Sequence, residues 1–403
     1  MTYLDELRSN WRPLLAATLG IGTGMSLIGT VTSAIAPSMI ADNHWSKASF
    51  AMVGSLGILT ALAFPFIGRL ADVIGVRWTA LIGQVSLPLV YLAYSMMSGA
   101  LATYVWIFVV QSTICVTTTA TVYARLPVQY VLRARGMALA IVASGPAITS
   151  AIGGPILNTY VETSGWRAAY VAMAIFTAIA GLATFLLIPS QTGTQAGAIA
   201  KPRRGREDYP EIFRTRAFWI LLVVMLLCNL PQVIMLTQLK LVLLDNGVSG
   251  KGAAVMISAL SIGMLCGRFI TGFSLDRFNP FTTSFVTLGL PSIGLLIIAT
   301  SFDAPAVLTL AVFLLGFAFG AEGDIVAFLV GACFPVRVFG SVMGLLTGAI
   351  SLSAASGAML LSFTLARTGG YDLFLQISGC AVIAGAGLLL LLGRQKQGLV
   401  EGV

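Results

Sequence analysis

The sequence predicts an all-α membrane protein with twelve transmembrane helices in two pseudo-symmetric six-helix bundles. Hydrophobic residues make up 57% of the 403 residues and charged residues only 9%, whereas a soluble domain carries roughly 25% charged residues. A helix needs about 20 mainly apolar residues to cross a bilayer. Twelve segments meet this condition, at residues 13–38, 48–70, 78–99, 102–125, 134–161, 167–189, 217–244, 252–274, 282–301, 304–331, 338–366 and 371–393. We number them as spans 1 to 12.

The distribution of basic residues predicts the orientation of these spans. With the N-terminus in the cytoplasm, 17 of the 23 lysine and arginine residues lie on the cytoplasmic side, as the positive-inside rule requires. We therefore expect a multi-pass protein of the cell (inner) membrane, surrounded by lipid, with both termini in the cytoplasm. The net charge of +8 then reflects topology and does not indicate a nucleic-acid partner.

A long polar stretch at residues 190–216 separates six spans from six. It predicts a cytoplasmic linker between an N-terminal half (1–189) and a C-terminal half (217–403). Its basic run KPRRGR (201–206) predicts a solvated segment, with lipid or partner binding as the alternative. One fixed offset of 204 residues aligns the two halves, which indicates an internal duplication. The offset pairs Gly68 with Gly272, Asp72 with Asp276, Arg133 with Arg337, Gly136 with Gly340 and Gly165 with Gly369.

Two loop segments carry a family resemblance. GRLADVIGVRW (68–78) resembles the loop signature G-x-x-x-D-R-x-G-R-R of the major facilitator superfamily, and GFSLDRF (272–278) resembles its second copy. The resemblance implies that Asp72 and Asp276 pair with basic residues in a cytoplasmic gate. Val73 stands where the signature has arginine, so Asp72 is expected to use Arg69 or Arg77. The alternative is that these residues only anchor helix ends. The candidate gating residues are Asp72, Arg77, Arg133, Asp276, Arg277 and Arg337.

Three further segments narrow the resemblance. RARGMALAIVASG (133–145), GWRAAY (165–170) and GMLCGRFITG (263–272) are similar to the monocarboxylate transporter and oxalate–formate antiporter branch. The resemblance implies that Arg268, in span 8, binds a substrate carboxylate. Met264 stands where branch members often have an acid, and span 11 has no basic residue before Arg367 at its outer end. A substrate with two carboxylates is therefore not favoured.

Two carboxylates interrupt the apolar run of span 10. Counted at about 1.5 Å per residue, Glu322 lies at the depth of Arg268 in span 8. A charged group inside a bilayer needs a cavity or a partner, which predicts an ion pair or a carboxylate-bridged site. Glu322 and Asp324 point about 200° apart on a helix, so only one is expected to face the passage. The alternatives are a permanent salt bridge between spans 8 and 10, or an Arg268 side chain that extends to the cytoplasmic face.

Other polar residues in the spans are candidates for the substrate passage. Spans 1, 4, 7 and 10 line the passage in the superfamily, and this resemblance favours Gln111, Asn229 and Gln232 as substrate-binding residues. Hydrogen bonding between helices is the alternative for each of them. Pro231 is expected to loosen span 7 and to expose backbone carbonyls.

Together these features predict a secondary active transporter with no enzymatic activity, expected as a monomer. It would move a small, monocarboxylate-like organic anion by proton-coupled symport and alternating access. In this hypothesis Arg268 binds the anion, and Glu322 or Asp324 carries the proton, because desolvation disfavours a charged carboxylate. The alternative is proton-driven efflux of an apolar or cationic compound. One histidine and five scattered cysteines predict no metal site, and without a G-x-x-x-x-G-K-[ST] loop no nucleotide or other cofactor is expected.

Overall fold

The computed structural model describes residues 3–45, 50, 53–189, 205–300 and 304–400. Within these ranges the chain consists of helices and short turns, with no strand. Most of the predicted linker, residues 190–204, lies outside the described residues, and so does most of the basic run at 201–206. The all-α prediction is confirmed.

Eighteen α-helices follow one another along the described chain. They are α1 (Tyr3–Ser9), α2 (Trp11–Gly22), α3 (Ile28–Asp42), α4 (Ile58–Ile74), α5 (Val76–Ser95), α6 (Leu101–Ile114), α7 (Ala120–Tyr123), α8 (Arg125–Tyr130), α9 (Arg135–Ala143), α10 (Gly145–Leu187), α11 (Gly205–Arg214), α12 (Arg216–Cys228), α13 (Leu239–Asp245), α14 (Gly250–Arg277), α15 (Pro280–Ile298), α16 (Pro305–Cys333), α17 (Phe339–Thr368) and α18 (Asp372–Val400). Short 3₁₀ helices occupy Met25–Leu27, Gly54–Gly57, Cys115–Thr118 and Val336–Val338, and a π-helix occupies Ile234–Gln238.

Nine helical segments in the described ranges are long and apolar enough to cross a membrane. One of them, Arg135–Leu187, contains spans 5 and 6 and changes direction at Gly165, where φ is 81°. Span 2 is represented by α4 with 17 residues, and span 7 is divided between α12 and the helices that follow Pro231. The nine segments therefore contain ten of the predicted spans, and spans 2 and 7 bring the number to twelve.

Spans 1 and 4 are interrupted, which the sequence does not predict. Between α2 and α3 the backbone passes through Thr23 and Gly24, and between α6 and α7 it is extended at Thr119. The backbone N–H of Met25 donates to Thr118 Oγ1 at 2.9 Å. A Cβ at Gly24 would lie 2.5 Å from the Thr118 carbonyl oxygen. The two interruptions therefore lie in close backbone contact and are joined by this hydrogen bond.

The chain divides into two compact units. Unit 1 contains Met1–Ala134, Ile141–Pro202 and Phe334–Gly348, and unit 2 contains Arg135–Ala140, Arg203–Cys333 and Ala349–Val403. Unit 1 has an aromatic-rich core that includes Tyr91, Tyr94 and Trp166, and unit 2 has an aliphatic core around residues such as Leu243 and Leu315. The predicted division at residues 190–216 stays a prediction, since each unit also includes a short segment from the other half.

Candidate functional site

Glycines bring α14 and α16 into close contact within unit 2. A Cβ at Gly267 would collide with the Phe317 carbonyl oxygen, and a Cβ at Gly320 would collide with the Met264 carbonyl oxygen. Small residues allow membrane helices to approach until their backbones touch. Gly320 thus allows the two helices to pack closely. A Cβ at Gly323, in contrast, would have no heavy atom of the described residues within 4 Å.

This close approach places Arg268 beside Asp324. The Arg268 Nε–H donates to the Gly320 carbonyl oxygen at 3.1 Å, and Nε lies 3.5 Å from Asp324 Oδ2. The Arg268 side chain is 19% exposed and that of Asp324 only 4%. Asp324 Oδ2 accepts no hydrogen bond from the described residues. The guanidinium therefore faces a nearly buried carboxylate that is incompletely hydrogen-bonded.

Glu322 contacts a different partner. Its Oε1 accepts a hydrogen bond from the side-chain amide of Asn229, in span 7. The same Asn229 Nδ2 also donates to the Met225 carbonyl oxygen at 2.9 Å. The two carboxylates of span 10 thus make contacts with different helices, Asp324 with α14 and Glu322 with the end of α12.

Span 7 changes its helical form around Pro231. The α12 helix ends at Cys228, and the chain continues through turns into the π-helix Ile234–Gln238. Asn229 lies at the end of α12 and is 2% exposed. The side chain of Gln232 is half-buried, and its backbone N–H donates to the Asn229 carbonyl oxygen. The interruption therefore positions Asn229 against Glu322.

Gln111 lies in the interior of unit 1. It is 2% exposed, and its Oε1 accepts a hydrogen bond of 2.9 Å from the hydroxyl of Tyr94. Tyr94 belongs to α5 and Gln111 to α6, so this contact joins two helices. The structure therefore shows Gln111 in a hydrogen bond between helices, the alternative to substrate binding.

Asp72 receives hydrogen bonds from the first turn of α17, within unit 1. Its carboxylate accepts the backbone N–H groups of Gly340 at 2.9 Å and Ser341 at 2.6 Å, and also the Ser341 hydroxyl. The first N–H groups of a helix have no partner inside the helix and attract negative charge. Arg125 Nη1 lies 2.9 Å from Asp72 Oδ1, and both side chains are buried.

Asp276 makes the corresponding contact within unit 2. Its carboxylate accepts the backbone N–H groups of Gly136 at 2.6 Å and Met137 at 3.0 Å, in the first turn of α9. The offset of 204 residues relates every member of this contact to its counterpart around Asp72. Each loop signature therefore places its aspartate carboxylate at a helix N-terminus.

Asp72 has a basic partner that the sequence did not predict. Its ion-pair partner is Arg125, whereas Arg77 stacks over the Phe185 ring at 4.4 Å. The side chains of Arg133 and Arg277 are exposed, and that of Arg337 is half-buried. Arg125 was missed because it looked like one more cytoplasmic charge, although its apolar surroundings TVYARLPV were a signal for burial.

The N-terminal helix α1 also contributes a contact that the sequence did not predict. The Glu6 carboxylate accepts the backbone N–H groups of Leu132, Arg133 and Ala134 at 2.9, 2.9 and 3.0 Å. These residues directly precede α9. Among the described residues no cluster of three histidine, cysteine or acidic side chains could hold a metal ion.

The curated relatives of this chain include two that are named for their substrates. A gentisate transporter from Corynebacterium glutamicum is 25% identical over 420 residues, which cover 98% of this chain and 90% of the relative. Monocarboxylate transporter 11 from Mus musculus is 25% identical over 279 residues, which cover 66% of this chain and 61% of the relative. The resemblance thus extends to a protein named for monocarboxylates.

A solved structure and a family model show the fold and the family of the chain. The structure resembles the crystal structure of the fucose:proton symporter of E. coli, with a TM-score of 0.71 at 12% identity, covering 94% of this chain and 97% of that one. The model of the Major Facilitator Superfamily matches residues 14–358. This chain, with its duplicated loop signatures and its twelve-helix fold, belongs to the major facilitator superfamily of transporters.

Proposed function

We propose that this protein moves a small organic anion, monocarboxylate-like in character, across the cell (inner) membrane together with protons. The observation that carries the proposal is the contact between Arg268 and the nearly buried Asp324. A guanidinium is always charged and its donors match the geometry of a carboxylate. The site therefore combines a permanent cation with an acid that can be charged or neutral.

The coupling follows from competition for the same cation. While Asp324 is ionised, it neutralises Arg268 and weakens the attraction of a second carboxylate. Protonation of Asp324 removes that competitor, and the substrate anion then pairs with Arg268. Asp324 Oδ2 accepts no hydrogen bond from the described residues, so a proton can bind there without breaking one. Binding of the anion and binding of the proton are thereby linked.

Glu322 has a supporting role in this proposal. Its contact with Asn229 connects span 10 to the interruption of span 7. Protonation or ionisation of Glu322 changes which hydrogen bonds that pair can make, because an ionised carboxylate can only accept. We assign Asn229 to the orientation of Glu322, and keep the half-buried Gln232 as a substrate-binding candidate.

Asp72 and Asp276 are proposed as the gate of an alternating-access cycle, with both termini in the cytoplasm. Each aspartate stabilises the first turn of a helix in spans 11 and 5, respectively. Movement of either helix end away from its carboxylate would expose unpaired backbone N–H groups. These hydrogen bonds therefore stabilise the conformation that the structure shows.

The comparisons support this class of substrate. Two of the curated relatives are named for gentisate and for monocarboxylates, and both names describe carboxylate-bearing substrates. The structural relative is named as a proton symporter. Together they favour an anion as the cargo and a proton as the coupled ion.

Uptake by the purified protein in proteoliposomes tests the proposal. With an inward proton gradient, the wild type is expected to accumulate lactate, benzoate or gentisate, and a protonophore to abolish accumulation. Arg268→Ala is expected to lose uptake by about thirtyfold or more, the effect of removing one partner from a desolvated charge pair. Arg268→Lys keeps the charge without the forked donors and should retain partial uptake. Full uptake by Arg268→Ala would contradict the proposal, and uptake of cationic dyes alone would favour efflux of cations.

A further inference from the structure

A small cavity in unit 1 lies where spans 1 and 4 are interrupted. Its volume is about 10 Å³, close to the roughly 10–15 Å³ that one water molecule needs. Its lining includes Thr23 and Gly24 of span 1, Gln84 of span 3, Thr118 of span 4 and Thr177 of span 6. Four spans of the same unit therefore surround a space for one particle of about the size of water.

Two backbone carbonyl groups at the cavity are released from helical hydrogen bonds. The Gly24 N–H donates to the Ile21 carbonyl at 3.3 Å, so the Gly20 carbonyl loses the bond that a continued α-helix would give it. Thr118 is the last residue of its 3₁₀ helix, directly before extended backbone. A Cβ at Gly24 would lie 2.7 Å from the Gly20 oxygen and 2.5 Å from the Thr118 oxygen. Both oxygens thus converge beside Gly24, and such helix C-termini carry partial negative charge.

The threonine hydroxyls at the cavity have already donated their protons. Thr23, Thr118 and Thr177 each donate to a backbone carbonyl of the preceding helical turn, at 2.8, 2.7 and 2.8 Å. A hydroxyl has one hydrogen and two lone pairs. Thr118 Oγ1 also accepts the Met25 N–H, which leaves it one lone pair. These three oxygens can therefore only accept a further hydrogen bond or coordinate a cation.

Gln84 adds a buried oxygen that lacks a partner. Its Nε2 donates to the Tyr123 hydroxyl at 2.5 Å, whereas its Oε1 accepts no hydrogen bond from the described residues. The residue is only 9% exposed, and an unpaired polar atom at that depth is costly. An electropositive ligand in the adjoining cavity would satisfy it.

This set of oxygens suits a cation better than a water molecule. Water needs donors for its own lone pairs, and the protons of the three hydroxyls are already used. A hard cation is satisfied by oxygen lone pairs alone. The described residues that line the cavity carry no charge, whereas sites for divalent cations rely on carboxylates. The favoured ligand is therefore monovalent and no larger than water.

We propose that this cavity binds one dehydrated sodium ion, which fixes the interruptions of spans 1 and 4. Its ligands are the carbonyl oxygens of Gly20 and Thr118, Gln84 Oε1 and the hydroxyls of Thr23 and Thr177. Unwound backbone carbonyls and helix C-termini coordinate Na⁺ in other membrane transporters. The inference is independent of the proposed cargo, because every ligand lies in unit 1 and the anion-binding arginine takes no part.

Thermal unfolding of the purified protein in detergent, with the sodium ion alone as ligand, tests the inference. NaCl replaces choline chloride at constant total salt, so that the screening of surface charges does not change. A ligand that binds only the folded state raises the unfolding temperature as its concentration rises. The wild type is expected to show a saturable rise with NaCl and a smaller one with KCl, because K⁺ is larger. Equilibrium binding of radioactive sodium should give one ion per chain.

Variants at one ligand and at one matched control locate the ion. Gln84→Leu should weaken Na⁺ binding by about tenfold or more, since even the loss of an outer partner of a metal site costs about 10–100-fold in affinity. Gln84→Glu keeps an oxygen and adds a negative charge, so it should bind Na⁺ more tightly than the wild type. Ser112→Ala removes another buried hydroxyl that has no hydrogen-bond partner among the described residues and does not line the cavity. Its response to Na⁺ should match the wild type.

Three outcomes would overturn the inference. Equal unfolding temperatures of the wild type in sodium and choline chloride would assign the cavity to a water molecule. An equal Na⁺ response in the wild type and Gln84→Leu would place the ion elsewhere. If Gln84→Leu does not fold, Gln84→Glu decides, and Na⁺ binding no tighter than that of the wild type contradicts the proposed ligand. No carboxylic acid is present in these measurements, so the uptake assay judges the proposed function separately.

Discussion

Asp324 combines three properties at one residue. Its side chain is 4% exposed, it lies 3.5 Å from a guanidinium nitrogen, and its Oδ2 accepts no hydrogen bond from the described residues. A structural ion pair is usually strengthened by further hydrogen bonds to the remaining lone pairs. The lack of such bonds at Oδ2 is suited to a group that gains and loses a proton.

Replacement of Asp324 by asparagine separates transport from coupling. Asparagine imitates the protonated acid, so Arg268 stays available to the anion at every pH. We expect Asp324→Asn to exchange external for internal substrate but to lose accumulation driven by a proton gradient. At one proton per anion, a gradient of one pH unit supports about tenfold accumulation, and this factor should fall to one. Counterflow and gradient-driven uptake in the same proteoliposomes measure the two activities, and Asp324→Asn that still concentrates substrate would exclude this acid as the proton carrier.

Glu6 provides a pH-dependent contact outside the membrane. Partial burial raises the pKa of its carboxyl group, but hydrogen bonds from the backbone N–H groups of Leu132, Ala134 and Arg133, with the Arg133 charge, lower that pKa below its ordinary value. A group whose pKa is lowered by folding stabilises the folded state above its unfolded pKa. That contribution is lost as the pH falls through the lower, folded value.

We therefore expect Glu6→Gln to destabilise the protein most near neutral pH. The difference in unfolding temperature between the wild type and Glu6→Gln should be constant above about pH 5 and shrink as the pH falls below the ordinary pKa of 4.5. Thermal unfolding in detergent over this pH range measures it. Ser9→Ala, on the same helix, is a control that leaves the carboxylate in place. A difference that grows on acidification would have the wrong sign.

The sequence predicted the depth of candidate residues but not their contacts. It placed Glu322 at the depth of Arg268, because depth follows from counting residues along a helix. It did not show that Asp324 faces Arg268 while Glu322 faces Asn229, since rotation of a helix about its axis depends on its packing. For the same reason Arg77 was expected beside Asp72, and Arg125 lies there instead.

At the scale of elements, the contact between α14 and α16 is what builds the site. The Gly320 carbonyl accepts the Arg268 Nε–H, and the Cβ direction of Gly320 points into the Met264 backbone. The pairing of Arg268 with Asp324 therefore depends on how closely the two helices approach. A side chain at position 320 would push them apart.

We expect Gly320→Val to lose transport and to lower the free energy of unfolding by about 1–3 kcal/mol, the usual cost of overpacking. Gly323→Ala is the matched control on the same helix, because its Cβ direction is open, and it should fold and transport like the wild type. Thermal unfolding and uptake measured on the same preparations check both variants. Equal behaviour of the two variants would show that helix approach at Gly320 is not required.

Interruptions of the spans were predicted only where a local signal exists. Pro231 indicated the irregular span 7, since proline removes a backbone donor, and the structure has a π-helix after it. Spans 1 and 4 contain no proline or charge at their interruptions. Their irregular backbone is held by the tertiary bond from Met25 to Thr118, and a contact between residues so distant in sequence gives no local pattern.

Across the whole molecule, the offset of 204 residues describes the structure as well as the sequence. Gly165 and Gly369 both adopt positive φ, at 81° and 73°, and Asp72 and Asp276 both bind the first turn of a helix. Asymmetry appears in the candidate site residues, because Arg268, Glu322 and Asp324 all lie in the C-terminal half and their positions in the N-terminal half hold Phe64, Thr118 and Ala120. The sequence thus combines a duplicated scaffold with charged candidate residues in one half only.

Orientation in the membrane is a further prediction at this scale. With both termini in the cytoplasm, a green fluorescent protein fused after residue 403 should fluoresce, and alkaline phosphatase at the same point should be inactive. Alkaline phosphatase fused after Gly99, between spans 3 and 4, should instead be active, since that connection is expected outside. The reverse pattern of activities would invert the topology and place the basic loops on the outer surface.

The turn at Gly165 has a practical consequence for experiments on intact cells. Spans 5 and 6 meet there without a connecting loop, because a single residue with positive φ redirects the helix. An antibody epitope or a protease cleavage sequence introduced at this point would interrupt a helix, since no loop residues separate the two spans. Surface labels should instead be placed in the connection around Gly99. A reagent that binds at Gly165 will contact the ends of both span 5 and span 6.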